Sequence, residues 1–269
     1  MGVRLLTSSE VDRWRSRLAD GMAAAGVDQH AAVGAALRSH GLEWSSPTGA
    51  PVVLWSDGAW AKAVTRHVEP AARAVAADIV ATLDRRTKGR FGSRGTVTQL
   101  AGMVTDRAIQ GGPYISGRLG LTAAGGNIKA ISRALDDAAK VLNPGDRRGG
   151  IPTVADEFQA RLSQLGDLAA NVAGPMANAA TTMLAKAQAQ AGNVTYSWNC
   201  AMIPTSRQDH IDADGQIRPA GEPFSIGGEL LDYPGDPSGS DAQTCNCLCW
   251  LETTGIELAD DLDLESLDG

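Results

Sequence analysis

The stretch "AKAQAQAGNVTYSWNCAMI", residues 185–203, marks the point where the character of the sequence changes. Before residue 192, Ala-rich segments repeat apolar residues at helical spacing, whereas beyond it this periodicity stops and Gly and Pro become frequent. The segments 195–203, 222–228 and 246–254 have the composition of short strands. The sequence therefore predicts an α+β protein with a mostly helical N-terminal region and a small, irregular, β-rich C-terminal module.

The predicted domain organisation has three parts. Residues 1–191 form the helical region, residues 192–256 form the β-rich module, and residues 257–269 form an acidic tail. All four cysteines lie beyond residue 199, which sets the module apart in composition as well as in periodicity.

Helix signals divide the N-terminal region. Thr7 and Glu10 have the spacing of a capping box, so a first helix is expected from Thr7, with Gly26 as its stop. Further helices are predicted at 28–39, 57–84, 96–110, 127–142 and 153–191. The last is expected to be kinked or split at Gly174 and Pro175. Residues 85–95 are expected to form a loop, and residues 143–152 a linker.

Composition and charge limit the possible functions. With 269 residues and 43% apolar residues the chain can bury a sizeable core, and it contains no apolar run of about 18 residues that would span a bilayer. A soluble protein made in the cytoplasm and without a membrane partner is expected. Beyond Arg218 there are 12 acidic and no basic residues, whereas residues 1–218 carry 24 basic and 19 acidic ones, a net +5. That charge is too dilute to predict DNA binding by the region as a whole.

The clustered cysteines are candidate metal ligands. Grouped cysteines in a reducing cytoplasm bind metal more often than they form disulfides, and zinc is the natural ion. On a strand, Cys247 and Cys249 would point to one face, and His210 could be a third ligand. Candidate fourth ligands are Cys200, Asp209 and Asp212. The alternative is that the cysteines are small buried apolar residues with free thiols.

The polar segment 206–219 allows two interpretations. Arg207, His210 and a carboxylate could serve acid–base chemistry or bind phosphate, or they could tie a surface turn to the module. The "DADGQ" sequence lacks the glutamate that closes a calcium loop, so it predicts a turn with Gly215 at positive φ. Fingerprints of nucleotide-binding enzymes and of α/β-hydrolases are missing from the sequence.

Taken together, "W-x8-R-x2-H-x3-DGQ", "EPF", "GGELLDYPGDPSG" and "NCLC" resemble the head-morphogenesis module of the phage Mu F-like minor head proteins. The resemblance runs from Trp198 to Trp250. Leu248 stands where the family's closing motif usually has Arg, and Ile203 and Thr205 stand at positions that are usually charged. The residues that carry the resemblance are Trp198, Arg207, His210, Asp214, Gly215, Gln216, Pro223, Phe224, Tyr233, Pro234, Gly235, Asp236, Asn246, Cys247 and Cys249.

The resemblance implies a non-enzymatic minor capsid protein of a tailed phage or prophage. Such a protein associates with the portal, the scaffold or the major capsid protein, and it lies in the virion, at the capsid interior or the portal vertex. A second reading, a metal-assisted hydrolase or toxin-like transferase, would use Arg207, His210 and a carboxylate. A third, contact with packaged DNA, would draw on the basic cluster Arg85, Arg86, Lys88, Arg90 and Arg94.

Overall fold

The computed structural model describes residues 2–39, 56–88, 94–119, 154–189, 193–244 and 247–259; at residue 94 and in 111–119 and 154–171 it describes the backbone alone. Within these residues, four long helices precede a small module of short strands, which confirms the predicted α+β class. The elements in chain order are α1 (Ser8–Ser39), α2 (Asp57–Arg86), α3 (Arg94–Leu119), α4 (Val154–Ala189), β1 (Thr195–Asn199), α5 (Gln208–Asp212), β2 (Ile217–Pro219), β3 (Phe224–Ile226), β4 (Glu229–Leu231), α6 (Asp241–Thr244) and β5 (Trp250–Thr254).

The predicted capping box begins α1. Glu10 Oε2 accepts the backbone N–H of Thr7 at 2.9 Å, and Thr7 Oγ1 accepts the backbone N–H of Glu10 at 3.3 Å. The predicted stop at Gly26 is wrong, because α1 continues to Ser39. A glycine inside a helix costs about 1 kcal/mol relative to alanine, and burial of Val33 and Leu37 beyond it outweighs that.

Two of the other long helices, α2 and α3, also exceed their predicted limits. Helix α2 ends two residues later than expected, and α3 extends to Leu119. Helix α4 is one continuous element with Pro175 inside it. It is therefore not split at that proline, and the alternative of a kink there stays a prediction. Pro175 is buried against Gly235, where a Cβ would lie 2.4 Å from Pro175 Cγ. Tertiary contact of this kind stabilises a helix through an interior proline. The predicted helix at 127–142 and the linker at 143–152 lie outside the described residues.

The chain divides into two compact units. One contains Met1–Leu18, Ala71–Val104 and Ala169–Gly269, and the other contains Ala19–Pro70 and Thr105–Leu168. The predicted boundary at 192 falls within the sequence range of the first unit, between the end of α4 at Ala189 and the start of β1 at Thr195. Whether it also separates independently folding domains, as the partition 1–191, 192–256 and 257–269 proposes, stays a prediction.

The second unit is helical. Its buried side chains include Val33, Val64 and Val68, and the indole N–H of Trp60 donates to the carbonyl of Ala108 at 2.9 Å. The bond satisfies the polar atom of a side chain that is otherwise in the core.

Polar contacts join α1 and α2 in the helical part of the first unit. The indole N–H of the buried Trp14 donates to Asp78 Oδ2 at 2.8 Å. The guanidinium of Arg86 binds both carboxylate oxygens of Glu10 at 3.0 and 3.1 Å and also contacts the carbonyl of Leu5. The capping carboxylate of α1 is therefore also the partner of a cation at the end of α2.

The contact of Asp78 with Trp14 predicts a dependence of stability on acid. The hydrogen bond from the Trp14 indole lowers the pKa of Asp78 below its usual value. Partial burial opposes this effect, and Arg13 adds to it. Because the pKa of Asp78 is lower in the folded chain than in the unfolded chain, where it is about 3.9, its ionised form stabilises the fold. This contribution is fully present at pH values above the unfolded pKa and is lost as the pH falls through the folded pKa. We expect the stability difference between the native chain and Asp78→Asn to be constant above about pH 5 and to shrink in acid. Urea unfolding between pH 2 and pH 7 measures it, with the exposed Asp20→Asn as control; a difference independent of pH would contradict the assignment.

The module contains two antiparallel sheets. In the larger, with order β2-β1-β5, Trp198 pairs with Leu251 and Tyr196 pairs with Arg218 and Thr253. Strands β3 and β4 form the other, with Phe224 opposite Leu231. Strands β1, β3 and β5 lie within segments predicted as strands, whereas β2, β4 and the short helices α5 and α6 were not predicted.

The N-terminus and α4 both complete the module. Val3 and Thr253 exchange backbone hydrogen bonds of 2.8 and 2.9 Å, so the start of the chain bonds to the free edge of β5. From α4, the side-chain amide of Asn178 donates to the carbonyls of Pro234 and Cys249 and accepts the N–H of Leu251. Aromatic contacts fill the core, with ring centroids 5.2 Å apart for Tyr196 and Phe224 and 5.5 Å apart for Trp198 and Phe224.

Candidate metal centre

His210 lies on α5, the short helix that follows Arg207. Arg207 has extended backbone geometry at the N-cap, and its carbonyl accepts the N–H groups of His210 and Ile211. This turn directs the imidazole into the module, where it is 2% exposed and packs edge-on against Trp198 with 5.6 Å between ring centroids. His210 is therefore an internal residue of the module, and this position is compatible both with a ligand and with a residue that ties the turn to the module.

Cys247 and Cys249 meet His210 from the other side. Their sulfur atoms lie 3.6 and 3.4 Å from His210 Nδ1, and the ligand atoms of the three residues all lie within 4.8 Å of one another. The two cysteines precede β5 instead of lying on a strand, so the expected strand geometry is wrong although the expected convergence of the thiols with His210 is found. This buried group could hold a metal ion.

A chain of hydrogen bonds fixes the state of the imidazole. Gln243 Nε2 lies 2.7 Å from Asp209 Oδ2, and since a carboxylate only accepts, the amide nitrogen must face it. The amide oxygen Oε1 then faces His210 Nε2 at 3.1 Å, which places the imidazole proton on Nε2. In the neutral imidazole that binds metal, the lone pair is then on Nδ1, which faces the two cysteine sulfur atoms, and a second residue orients the ring, as is usual at metal sites.

The two thiols have opposite tendencies to ionise. The pKa of Cys247 is lowered, mainly because its sulfur accepts a hydrogen bond from the Cys249 thiol. Burial opposes this effect, and the positive charge of Arg207 adds to it. Donation of that hydrogen bond, together with burial, raises the pKa of Cys249. Cys247 is thus the thiol of the pair that ionises more readily, and a divalent cation would displace the protons that remain on the two thiols.

Of the three candidate fourth ligands, Cys200 is the one that lines the small cavity at His210. This cavity of about 30 Å³ is also lined by Arg207, Cys247 and Cys249. The backbone N–H of Cys200 is held by Asp214 Oδ1 at 2.7 Å, and its side chain is buried. Asp209 binds Gln243, and Asp212 accepts from Gln208 at 2.6 Å. Cys200 is therefore better placed than either carboxylate to complete the ligand set.

The motif residues between Trp198 and Pro223 form the part of the module next to this site. Trp198 is fully buried in β1, and its carbonyl accepts the N–H of Gly215, whose φ of 73° confirms the predicted turn. Gln216 closes the same corner, since its side-chain amide makes two hydrogen bonds with the backbone of Ser225. The carbonyl of Pro223 accepts from Arg218 Nε at 3.3 Å.

The later motif residues shape a turn packed on α4. Asp236 is buried, and its carboxylate accepts the N–H groups of Asp232 and Ser238 at 2.8 and 2.9 Å. Gly235 has a φ of 81°, and Pro234 binds Asn178 through its carbonyl. Burial, with the nearby Asp236 and Asp232 carboxylates, raises the pKa of Tyr233, so its phenol stays protonated. Asn246 lies outside the described residues.

Two residues of the site region were missed in the sequence. Gln243 orients His210 from α6, and Asn178 holds the carbonyl of Cys249 from α4. Gln243 stands in an ordinary turn-like segment and Asn178 in an Ala-rich helix, so neither has a local signal of its role.

Within the described residues, no helix is long and apolar enough to cross a membrane. Comparison of the chain with protein-family models, with curated protein sequences and with solved structures found no match.

Proposed function

We propose that this chain is a minor structural protein of a tailed-phage or prophage head, with a C-terminal module held together by zinc. It would associate with the portal, the scaffold or the major capsid protein, in the host cytoplasm during assembly and in the virion afterwards. The role is architectural and involves no catalysis.

The observation that carries the proposal is the convergence of the motif residues in one module. Trp198, Phe224 and His210 meet in its core, and the Gly215 and Gly235 turns have the positive φ values that non-glycine residues rarely adopt. The spacing by which the sequence resembles the Mu F-like module thus corresponds to residues that support one another in space. A chance likeness of composition would not require this arrangement.

Zinc is the ion that this ligand chemistry favours. One neutral imidazole nitrogen and two or three thiolates form the ligand set of a structural zinc site, and soft sulfur ligands disfavour magnesium and calcium. With His210, Cys247 and Cys249 as three ligands and Cys200 as the fourth, the set would be closed. Metal binding would contribute to stability in a module whose strands are only three to five residues long.

The enzymatic alternative receives less support. The cavity at His210 measures about 30 Å³, far below the roughly 300–1,000 Å³ of sites that hold small-molecule substrates. Nδ1 of His210 faces two thiols and Nε2 faces Gln243, so both ring nitrogens are engaged inside the protein. These contacts favour a structural role.

The DNA-binding alternative also loses part of its basis. Arg86 binds Glu10, Arg85 donates to Thr82, and Lys88 lies 3.4 Å from Glu257. Cations that are paired within the protein contribute less to phosphate binding than free ones do. Arg90 lies outside the described residues, as does the side chain of Arg94.

The test of the head-protein proposal is incorporation into particles. An affinity-tagged chain is expressed in a cell that carries the phage or prophage, and assembled heads are purified and examined by mass spectrometry. We expect the chain in low copy in heads, and the portal, scaffold or capsid protein bound to it before assembly. Heads that lack the chain, together with no head protein on the tagged chain, would contradict the proposal.

The role of Gln243 gives a separate prediction. Gln243→Ala removes the group that keeps the His210 proton on Nε2, so we expect zinc affinity to fall about 10- to 100-fold. Competition with a chromophoric chelator measures the affinity. Gln208→Ala is the matched control, because this exposed glutamine bonds only Asp212 on the same short helix. Equal affinities for the two variants would show that the imidazole needs no orienting partner.

A further inference from the structure

A second cavity lies beside the candidate metal centre, and the proposed function assigns no role to it. It measures about 220 Å³ and lies between the start of α1, the middle of α4 and the segment 248–251. Both cavities share Ala201, Leu248 and Cys249, so the segment that carries Cys249 separates them. All of the residues around the larger cavity belong to the first compact unit.

The polar groups of this cavity are mainly donors. Within the described residues, Arg15 Nε and Trp250 Nε1 are buried and have no hydrogen-bond partner. Each such buried donor costs about 1–3 kcal/mol, so a ligand that accepts hydrogen bonds there would be stabilised. A cation also faces Trp250, because the Arg4 guanidinium carbon lies 4.6 Å from the centroid of its ring.

The acceptors around the cavity are already used. The oxygen of the Asn178 side chain accepts the N–H of Leu251, and the Thr181 hydroxyl donates to the carbonyl of Ala177. The single carboxylate, Asp12, binds Arg15 Nη1 at 2.9 Å. With Arg4 and Arg15 against Asp12, the lining carries one net positive charge. The cavity therefore favours an acceptor with a negative charge.

The rest of the lining is apolar. Leu6, Val11, Ala177 and Leu251 are buried around the cavity, and Leu248 is 37% exposed. A compact inorganic anion would leave these walls without contact, whereas an aliphatic chain would cover them. The volume is below the roughly 300–1,000 Å³ typical of drug-sized ligands, and at about 30 Å³ per water-sized group it holds about seven such groups.

We propose that this cavity is a binding site for a small aliphatic carboxylate, whose oxygens accept from Arg15 Nε and Trp250 Nε1 while its chain packs on Leu6, Val11 and Leu251. The carboxylate belongs to a free organic acid or to an acidic side chain flanked by leucines in a peptide. The site is independent of the proposed head function, because the residues that would contact the carboxylate and its chain are not among those that carry the resemblance.

The test uses the full chain and hexanoate as the probe. Isothermal titration should detect hexanoate binding and much weaker binding of hexan-1-ol, which keeps the chain and lacks the carboxylate. Arg15→Met removes the Nε donor and keeps an unbranched side chain, and Trp250→Phe removes the indole donor and keeps an aromatic ring. Each should weaken hexanoate binding about tenfold or more. Arg13→Met, at an exposed arginine that lies on the same helix as Arg15 and pairs with Asp78 of α2, should leave hexanoate binding unchanged.

A spectroscopic measurement covers the case in which a variant fails to fold. In the native chain, hexanoate should shift the indole N–H resonance of Trp250 downfield, as expected when a charged acceptor binds a donor that had no partner. Acetyl-Leu-Asp-Leu-amide distinguishes the source: tighter binding of the peptide than of hexanoate identifies a protein segment, and weaker binding identifies a free acid. No binding of either probe, equal binding of hexanol and hexanoate, or affinities unchanged in both donor variants would overturn the proposal.

Discussion

Replacing Cys247 or Cys249 by serine is expected to reduce bound zinc from about one ion per chain to a small fraction and to destabilise the module. Serine keeps the size of the side chain and removes the thiolate, which is the ligand that zinc prefers. At free zinc a thousandfold above its Kd, the bound ion contributes about 4 kcal/mol, and loss of that amount would lower Tm by about 10 °C. Elemental analysis and thermal unfolding, with and without a chelator, measure the two effects.

Two further cysteine variants make this experiment specific. Cys245→Ser replaces a cysteine outside the closing motif of the family that the chain resembles, so it should retain zinc and the native Tm. Cys200→Ser tests the fourth ligand. We expect this variant to bind zinc more weakly than the native chain but still to bind it, because His210, Cys247 and Cys249 remain. Metal-free native protein whose melting temperature does not respond to a chelator would remove zinc from the account. The head-protein proposal would stand, because its test concerns particles.

The sequence predicted the helices better than it predicted their ends. Gly26 and Pro175 are local signals that oppose a helix, but burial of Leu37 and the contact of Pro175 with Gly235 are tertiary effects that no local pattern contains. The bond of Val3 to Thr253 was missed for the same reason, since it joins residues 250 positions apart.

The candidate ligands could be predicted because their chemistry is a property of residue type. His210, Cys247 and Cys249 are of residue types suited to metal, and the choice among the clustered cysteines rests on the motif of the family that the chain resembles. Their support could not be predicted in this way. Gln243 is one of many amides in the chain, and its role depends on Asp209 fixing its orientation in space.

Replacing Asn178 by alanine is expected to destabilise the module by about 3 kcal/mol, although this residue lies on α4. The side-chain amide satisfies two buried carbonyls, those of Pro234 and Cys249, and one N–H, that of Leu251, and each loss costs about 1 kcal/mol or more. Urea unfolding measures the change. Asn199→Ala is the matched control, because the amide of Asn199 bonds only Ser197 two residues away, and we expect a much smaller effect there.

The same variant tests whether residue 192 separates two domains. If the module depends on α4, Asn178→Ala should also weaken zinc binding, because the carbonyl that it releases belongs to Cys249. Strands β1 and β5 and helix α4 should then unfold in one transition, as observed by hydrogen exchange at Trp198 and Ala180. In the other outcome, the module of the Asn178→Ala variant unfolds at the same denaturant concentration as the module of the native chain, while α4 unfolds at a lower one. That outcome would show that residues 192–256 fold on their own. In that case the Asn178 hydrogen bonds would join two stable domains, and the proposed boundary at 192 would be supported.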